Sequence, residues 1–320
     1  MHKLTIAVLT FNRANYLKKM LDSIVLQTYK DFIVIIYDNC SQDNTEEAVK
    51  PYLSDTRFSY HKHTTNTENA NFALSNCKTE YLLITHDDDI MLPDMVKEEI
   101  SILDSHDDAS MVWTNTNYIN TDGKIIKTSV LSQAFNNQDF VIKNREYIKM
   151  LVRKGNTIAC PTVMLRMSII RENNFRFLSQ VGKSNDCFMW LELNQLNYNF
   201  HYINKALYNY RKHDNQDSQQ TLFLTPLLRK PVCELLLSNN YPKHTINSWL
   251  HYVNNVILIE IGRQPDRKKA FKTIEDSILL KNQHDFFFLM RIMYVIYMPL
   301  PIQKILYLPF RILKKILRSI

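Results

Sequence analysis

Residues 5–45 read TIAVLTFNRANYLKKMLDSIVLQTYKDFIVIIYDNCSQDNT, and this stretch decides the fold. The apolar run at its start predicts a strand over Leu4 to Thr10, closed by the polar Asn12 and Arg13. From Ala14 to Leu26 apolar residues recur at helical spacing, and Phe32 to Tyr37 is again a short apolar run, ending at Asp38. A strand, a helix and a second strand in this order form a βαβ unit, whose right-handed crossover lays the two strands side by side and parallel.

The same alternation continues outward. Strands are predicted over Phe58 to His61, Tyr81 to Thr85 and Ser110 to Trp113, with helical patterns over Asp43 to Leu53 and Asn69 to Cys77 between them. The expected architecture is α/β, an open, doubly wound, mostly parallel sheet. Residues 116–143 are polar, hold Gly123, and read as a loop or hairpin instead of a further crossover. Residues 160–213 read as mixed, with a strand at Cys160 to Leu165, a helix around Asp186 to Asn197, and strands ending in YNYRKHDNQDS. From Thr221 the pattern is helical, with breaks at Pro242, Pro265 and Pro299. No internal repeat and no low-complexity linker interrupts the chain.

Composition narrows the function classes. With 320 residues, 45% hydrophobic and 22% charged, the chain folds and is not disordered. It has four glycines and neither GxGxxG nor GxxxxGK[ST], which excludes a glycine-cradled nicotinamide dehydrogenase or a P-loop enzyme. The five cysteines are odd in number and never in CxxC spacing, so a disulfide framework and a cysteine zinc site are both disfavoured and a reducing, cytoplasmic compartment is expected. MHKLTIAVLTFNR has too short an apolar run for a signal peptide. The net charge of +7 sits almost wholly in residues 286–320, where Arg291, Lys304, Arg311, Lys314, Lys315 and Arg318 occur without one acid. The rest of the chain is close to neutral, which argues against nucleic acid as a partner.

In an open α/β sheet, ligands bind beyond the carboxyl ends of the strands. The segments that follow the strands here are Thr10-Phe11-Asn12-Arg13, Asp38-Asn39-Cys40-Ser41 and His86-Asp87-Asp88-Asp89. Three successive carboxylates repel one another, by roughly 4 kcal/mol per close pair at an effective dielectric near 20. A divalent cation relieves that repulsion, and hard oxygen ligands suit Mg2+ or Mn2+. The same run also reads as a solvated acidic turn capping the helix after Pro93. Taken singly, Asp38 reads as a turn residue, Asp186 as a helix N-cap and His213 as a surface histidine.

Taken in order, these segments resemble the family 2 glycosyltransferases. Residues 5–45 are similar to that family's opening, including QTY before the second strand and the D-x-x-S-x-D-x-T turn. EYLLITHDDDIMLPDMV resembles its metal-binding segment, NDCFMWLEL its catalytic-base segment and YNYRKHDNQDS its closing Arg-x-His element, so the resemblance spans residues 4 to about 218. Two positions depart from the pattern: His86 stands where the family often has Asp, and Glu68 where it often has Gly.

The resemblance implies a GT-A fold over residues 1–218, with a nucleotide-binding half to about 115 and an acceptor half from 116. It implies a metal-dependent, inverting transfer from a nucleotide-sugar donor, a UDP-sugar by default, to a glycan or polyprenyl-linked acceptor in bacterial surface polysaccharide synthesis. Thr10, Phe11, Asn12, Arg13, Asp38, Asn71 and Asp87 would bind the donor, with Asp38 taking a hydrogen bond from its base and Asp87 contacting its ribose. Asp88, Asp89 and His213 would hold Mn2+ or Mg2+, and Asp186 would be the general base. A catalytically silent, sugar-binding relative acting as a partner subunit is the alternative.

Beyond the resemblance, residues 219–285 read as a helical extension and 286–320 as a basic amphipathic segment. From Pro301, Ile302, Ile305, Leu306, Pro309, Leu313, Ile316, Leu317 and Ile320 fall at helical spacing, with Lys304, Arg311, Lys315 and Arg318 between them. That pattern suits an anionic membrane surface, so the expected location is cytoplasmic and peripheral on the inner face of the cell membrane.

Overall fold

The computed structural model describes residues 2–64, 68–179, 181, 185–213, 224–262 and 266–269. They fall into two compact units, one comprising the described residues of Met1–Ser179 and Asn185–Gln220, the other those of Gln180–Ser184 and Thr221–Ile320.

The first unit is built on a sheet whose strands are β1 (Leu4–Thr10), β2 (Phe32–Asp38), β3 (Phe58–Lys62), β4 (Tyr81–His86), β5 (Ile90–Met91), β6 (Ala109–Ile119), β7 (Ile125–Lys127), β8 (Phe140–Ile142), β9 (Val163–Arg166) and β10 (Asn199–Arg211). The main order is β3-β2-β1-β4-β9-β6-β10-β5, with β7 beside β6 and β8 beside β10. The β3–β2–β1–β4 ladders are parallel, as the βαβ pattern requires. β9 runs antiparallel between β4 and β6, which leaves those two parallel to each other, and β10 is parallel to β6. The carboxyl ends of β1, β2, β4, β6 and β10 therefore share one edge of the sheet.

Helices follow from the apolar stripes. α1 (Ala14–Val25) buries Leu17, Met20, Leu21 and Ile24, and α4 (Met95–Ser105) buries Met95, Val96, Ile100 and Leu103. They cover a core that includes Ile6, Val8, Val34, Ile36, Leu83 and Val112. The remaining helices of this unit are α2 (Thr45–Val49), α3 (Asn69–Asn76), α5 (Tyr147–Lys154), α6 (Met167–Glu172) and α7 (Asn185–Leu193).

Three segments differ from the sequence reading. The helix expected over Asp43 to Leu53 is α-helical only to Val49 and tightens into a 3-10 turn over Lys50–Ser54, where Pro51 removes a backbone donor. The strand expected at Cys160 to Leu165 begins as a 3-10 turn over Cys160–Thr162, again at a proline. β6 runs on past Trp113 through Asn115, Thr116 and Asn117, whose buried polar groups find partners: the Asn115 Oδ1 accepts from the Leu131 N–H at 2.9 Å and the Asn117 Nδ2 donates to the Asn209 Oδ1 at 2.9 Å. Beyond it, β7 pairs back on β6 as the expected hairpin, with Gly123 at positive φ in the turn.

In the second unit, helices Leu224–Ser238 and Lys243–Gly262 flank the expected break at Pro242 and pack against each other. The first continues through Pro231. Pro265, Pro299 and the basic segment 286–320 lie outside the described residues. Among the described residues, no helix is long and apolar enough to cross a membrane.

Candidate active site

The loops after β1 and β2 are held by side chains that meet across them. Asn12, at φ 52°, donates its N–H to the Ser41 hydroxyl at 2.8 Å, and its Oδ1 accepts from the Gln42 N–H at 2.7 Å. The Asp43 carboxylate accepts from the Ala14 N–H at the start of α1, at 3.0 Å. Asp38 is fully buried, and its two oxygens accept from the Ser41 N–H at 2.9 Å and the Tyr60 hydroxyl at 2.5 Å. A carboxylate has further lone pairs beyond those these two donors fill. Phe11 projects outward, 53% exposed.

The acidic run after β4 is buried against this edge. The Asp87 Oδ2 accepts from the Thr10 hydroxyl at 2.8 Å and the Phe11 N–H at 3.2 Å. Arg13 Nη1 lies 3.1 Å from the Asp87 Oδ1 and 3.1 Å from the Asp88 Oδ2, so one guanidinium bridges two neighbouring carboxylates. His213 Nε2 approaches the same Asp88 Oδ2 at 2.9 Å. Asp89 turns inward, accepting from the Tyr208 hydroxyl at 2.9 Å and the Arg211 N–H at 2.7 Å.

Arg211 entered the sequence reading only as the arginine of the Arg-x-His element, with no role of its own. It is fully buried, donating to the main-chain carbonyls of Asp88, Asn120 and Thr121, with its guanidinium 4.7 Å from the centre of the Tyr16 ring. Irregular register between Ile203 and Tyr208 in the β6–β10 ladder precedes the stretch of β10 that presents Tyr208 and Arg211 to Asp89. The signal available in sequence was the Arg-x-His pair itself.

The electrostatics follow from burial. Burial pushes Asp87 up to about 7, against the pull of Arg13. Asp89 is raised well above its ordinary value, by burial first and then by the charge of Asp88. Asp88 moves the other way: burial opposes its ionisation, but His86, His213 and Arg13 together hold it below the usual carboxylate range. Negative charge thus concentrates on the middle carboxylate, and its neighbours resist ionising beside it.

This donor set fits a divalent cation. His86, Asp88 and Asp89 each offer one ligand atom, all within 4.8 Å of one another. Imidazole with carboxylate oxygens is a combination that Mn2+ accepts readily, and the carboxylates alone also suit Mg2+. His86, a departure from the resembled pattern, thereby joins the expected ligands Asp88 and Asp89, and His213 stands beside them on Asp88.

Two expected site residues have other surroundings. Asp186 lies in the first turn of α7, partly exposed, with Oδ1 accepting from the Cys187 N–H at 2.6 Å. Burial raises it to about 6, and the Cys160 and Cys187 thiols are pushed up by burial first and by the Asp186 charge second. Asn71, expected at the donor, pairs its carboxamide with the main chain of Phe177.

Known proteins identify the fold and the family. Staphylococcus aureus TarS residues 1–349, a structure solved with UDP-GlcNAc, superposes with a TM-score of 0.66 at 16% identity, over 86% of this chain and 81% of that one. The GT-A fold expected from sequence is therefore the fold observed. An uncharacterized glycosyltransferase of Methanocaldococcus jannaschii is 25% identical over 213 residues, covering 65% of this chain and 70% of the relative. One of Rickettsia felis is 26% identical over 195 residues, 60% of this chain, although the match spans only 30% of that longer relative. The model of glycosyl transferase family 2 matches residues 5–173, from the first strand through the acidic run to α6. That span takes in more than half the chain and the loops after β1, β2 and β4, and the chain belongs to glycosyl transferase family 2.

Proposed function

We propose that the protein transfers one sugar from a nucleoside-diphosphate sugar, a UDP-sugar, to a hydroxyl of a glycan or polyprenyl-linked acceptor with inversion, in the synthesis of a bacterial surface polysaccharide. The observation that carries this reading is the bridge of Arg13 over Asp87 and Asp88 with His213 closing on Asp88, at the strand-end edge where a diphosphate would lie. UDP-GlcNAc is bound by the fold relative TarS, and GDP-Man with Mn2+ by a mannosyltransferase of Pyrobaculum calidifontis with a TM-score of 0.52 and 14% identity over 92% of this chain.

In this reading residues 1–218 are the catalytic unit. Thr10, Phe11, Asn12, Arg13 and Asp38 line the nucleotide side, and Asp87, fixed by Thr10 and Arg13, faces the ribose. Asp88 and Asp89, with His86 and His213, would hold Mn2+ or Mg2+, which when bound neutralises the charge growing on the leaving diphosphate. Asp186 takes the proton of the acceptor hydroxyl as that oxygen attacks the anomeric carbon from the side opposite the diphosphate. The new glycosidic bond forms as the bond to the diphosphate breaks, which inverts the configuration.

Of the helical extension proposed for residues 219–285, the described helices are Leu224–Ser238 and Lys243–Gly262. Residues 286–320 bring the enzyme to the inner face of the cell membrane, each basic side chain adding on the order of 1 kcal/mol near an anionic leaflet. Cosedimentation of the full chain with anionic vesicles at low salt, lost at high salt, tests that part. The transfer itself is tested with a panel of UDP- and GDP-sugars, assayed with metal for donor binding and release of nucleoside diphosphate. A protein that binds a donor without ever turning it over is a silent relative, and the reading as an enzyme fails.

A further inference from the structure

The side-chain amide of Asn71, on α3, makes an unusual contact with a residue far along the chain. Its Oδ1 accepts from the Phe177 N–H at 2.8 Å and its Nδ2 donates to the Phe177 carbonyl at 2.7 Å, so one carboxamide satisfies both main-chain groups of one residue as a neighbouring strand would. The same Nδ2 donates to the Glu68 Oε2 at 2.7 Å, which fixes the amide's orientation. Only an amide side chain carries a donor and an acceptor at that spacing.

Phe177 is buried, and its ring meets the Trp190 indole edge-on, 6.3 Å between ring centres. Trp190 is buried within α7, four residues after Asp186, so the two side chains project from the same side of the helix. Arg171 adds a second tie in the same direction, its Nη1 reaching the carbonyls of Cys77 and Thr79 just after α3. The end of α3 is thus joined to the segment 171–177, and through Phe177 to α7.

We infer that Asn71 is a positioning residue for the base: it fixes the main chain of Phe177, whose ring seats Trp190 and with it the helix turn that carries Asp186. The inference rests on the reading of Asp186 as the base, and replaces direct contact of Asn71 with the donor. A helix beginning with a catalytic carboxylate has to be held within a fraction of an ångström, because a misplacement of about 1 Å costs about 100-fold in rate. The amide pair transmits the position of the donor half to that helix without touching substrate.

Asn71→Asp keeps the shape and the acceptor but sets a carboxylate oxygen against the Phe177 carbonyl. Amide hydrogen exchange is compared between this variant and the unmutated chain, alongside donor affinity and kcat. Exchange over Asn185–Leu193 should quicken by about tenfold while β1 and β2 stay protected. Donor Kd should hold while kcat falls by about 10- to 100-fold. Unchanged exchange over α7 together with a weakened donor Kd would overturn the inference and return Asn71 to the donor pocket. If Asn71→Asp does not fold, Phe177→Leu decides: it leaves the amide pair in place and removes the ring, and unchanged protection of α7 in that variant refutes the relay. A chain that transfers no sugar at all defeats the proposed function, while the exchange measurement still decides whether Asn71 holds α7.

Discussion

The Nε of Arg211 donates to the main-chain carbonyl of Asp88 at 2.6 Å, so the acidic loop after β4 is held in place by the end of β10, more than a hundred residues later in the chain. The same guanidinium reaches the carbonyls of Asn120 and Thr121 after β6 and stacks on Tyr16 of α1. One planar fork therefore ties together three strand ends and a helix, which a lysine's single ammonium cannot do.

Arg211→Lys should for this reason be costly although it keeps the charge. Each buried carbonyl left without a donor costs about 1–3 kcal/mol, and the ammonium can serve at most part of the set. The expected result is a lower urea midpoint and a loss of transfer that exceeds the loss of stability, because Asp88 moves with its carbonyl. An unchanged midpoint would show that the fork is dispensable.

A second expectation concerns the cation. Asp88→Asn removes the carboxylate on which Arg13 and His213 converge, and should abolish transfer while the far-ultraviolet circular dichroism spectrum and melting temperature stay near those of the unmutated chain. EDTA should have the same effect on the unmutated protein, with Mn2+ or Mg2+ restoring activity. His86→Ala, which leaves every carboxylate in place, should weaken Mn2+ binding measured by calorimetry. Full activity after metal stripping defeats this prediction.

Much of this site was legible in sequence, and the parts that were not share a cause. The β1–β2–β4 trio announces itself because central parallel strands are buried on both faces and read as unbroken apolar runs, with polar residues only where the site begins. Asn115 and Asn117 hid the second half of β6, since their partners Leu131 and Asn209 lie elsewhere in the chain and no local pattern shows that a polar side chain will be satisfied there. The hydrogen bond of Tyr60 to Asp38 crosses from β3 to β2 and is equally invisible in one dimension. Glu99 was legible but passed over: in KEEISIL it looks like a surface charge, yet it falls at helical spacing with the buried Met95, Val96, Ile100 and Leu103.

The third prediction turns on Asp186. A general base must be ionised to act, and burial raises this carboxyl to about 6. Below that pH the group is protonated and cannot accept the acceptor's proton. The kcat profile should fall by about tenfold per pH unit on the acid side of about 6, and Asp186→Asn should lower kcat by at least about 100-fold with donor affinity little changed. An acid limb near pH 4, or a variant with near-normal kcat, would point to another base, with Glu192 the next candidate.

Glu99 supplies the last prediction, on stability. Its side chain is fully buried on α4, and neither carboxylate oxygen has a hydrogen-bond partner among the described residues. Burial raises its pKa well above the ordinary glutamate value of 4.5. Below about pH 4.5 the group is protonated in the folded and unfolded chain alike, and pH has no hold on it there. Above that value the unfolded chain releases the proton while the buried carboxyl keeps it, so the unfolded state binds fewer protons and folding stability declines as pH rises, by up to about 1.4 kcal/mol per unit until the folded-state pKa is reached. Glu99→Met fills similar volume without a charge to desolvate, and it should be more stable than the unmutated chain at neutral pH. Urea unfolding of both proteins between pH 4.5 and pH 8 reads the effect directly: the gap between them should widen with pH. A gap that stays constant over that range would mean that Glu99 ionises with the same pKa in both states, and a variant less stable than the unmutated chain at every pH would mean that the carboxyl holds a partner worth more than its burial costs.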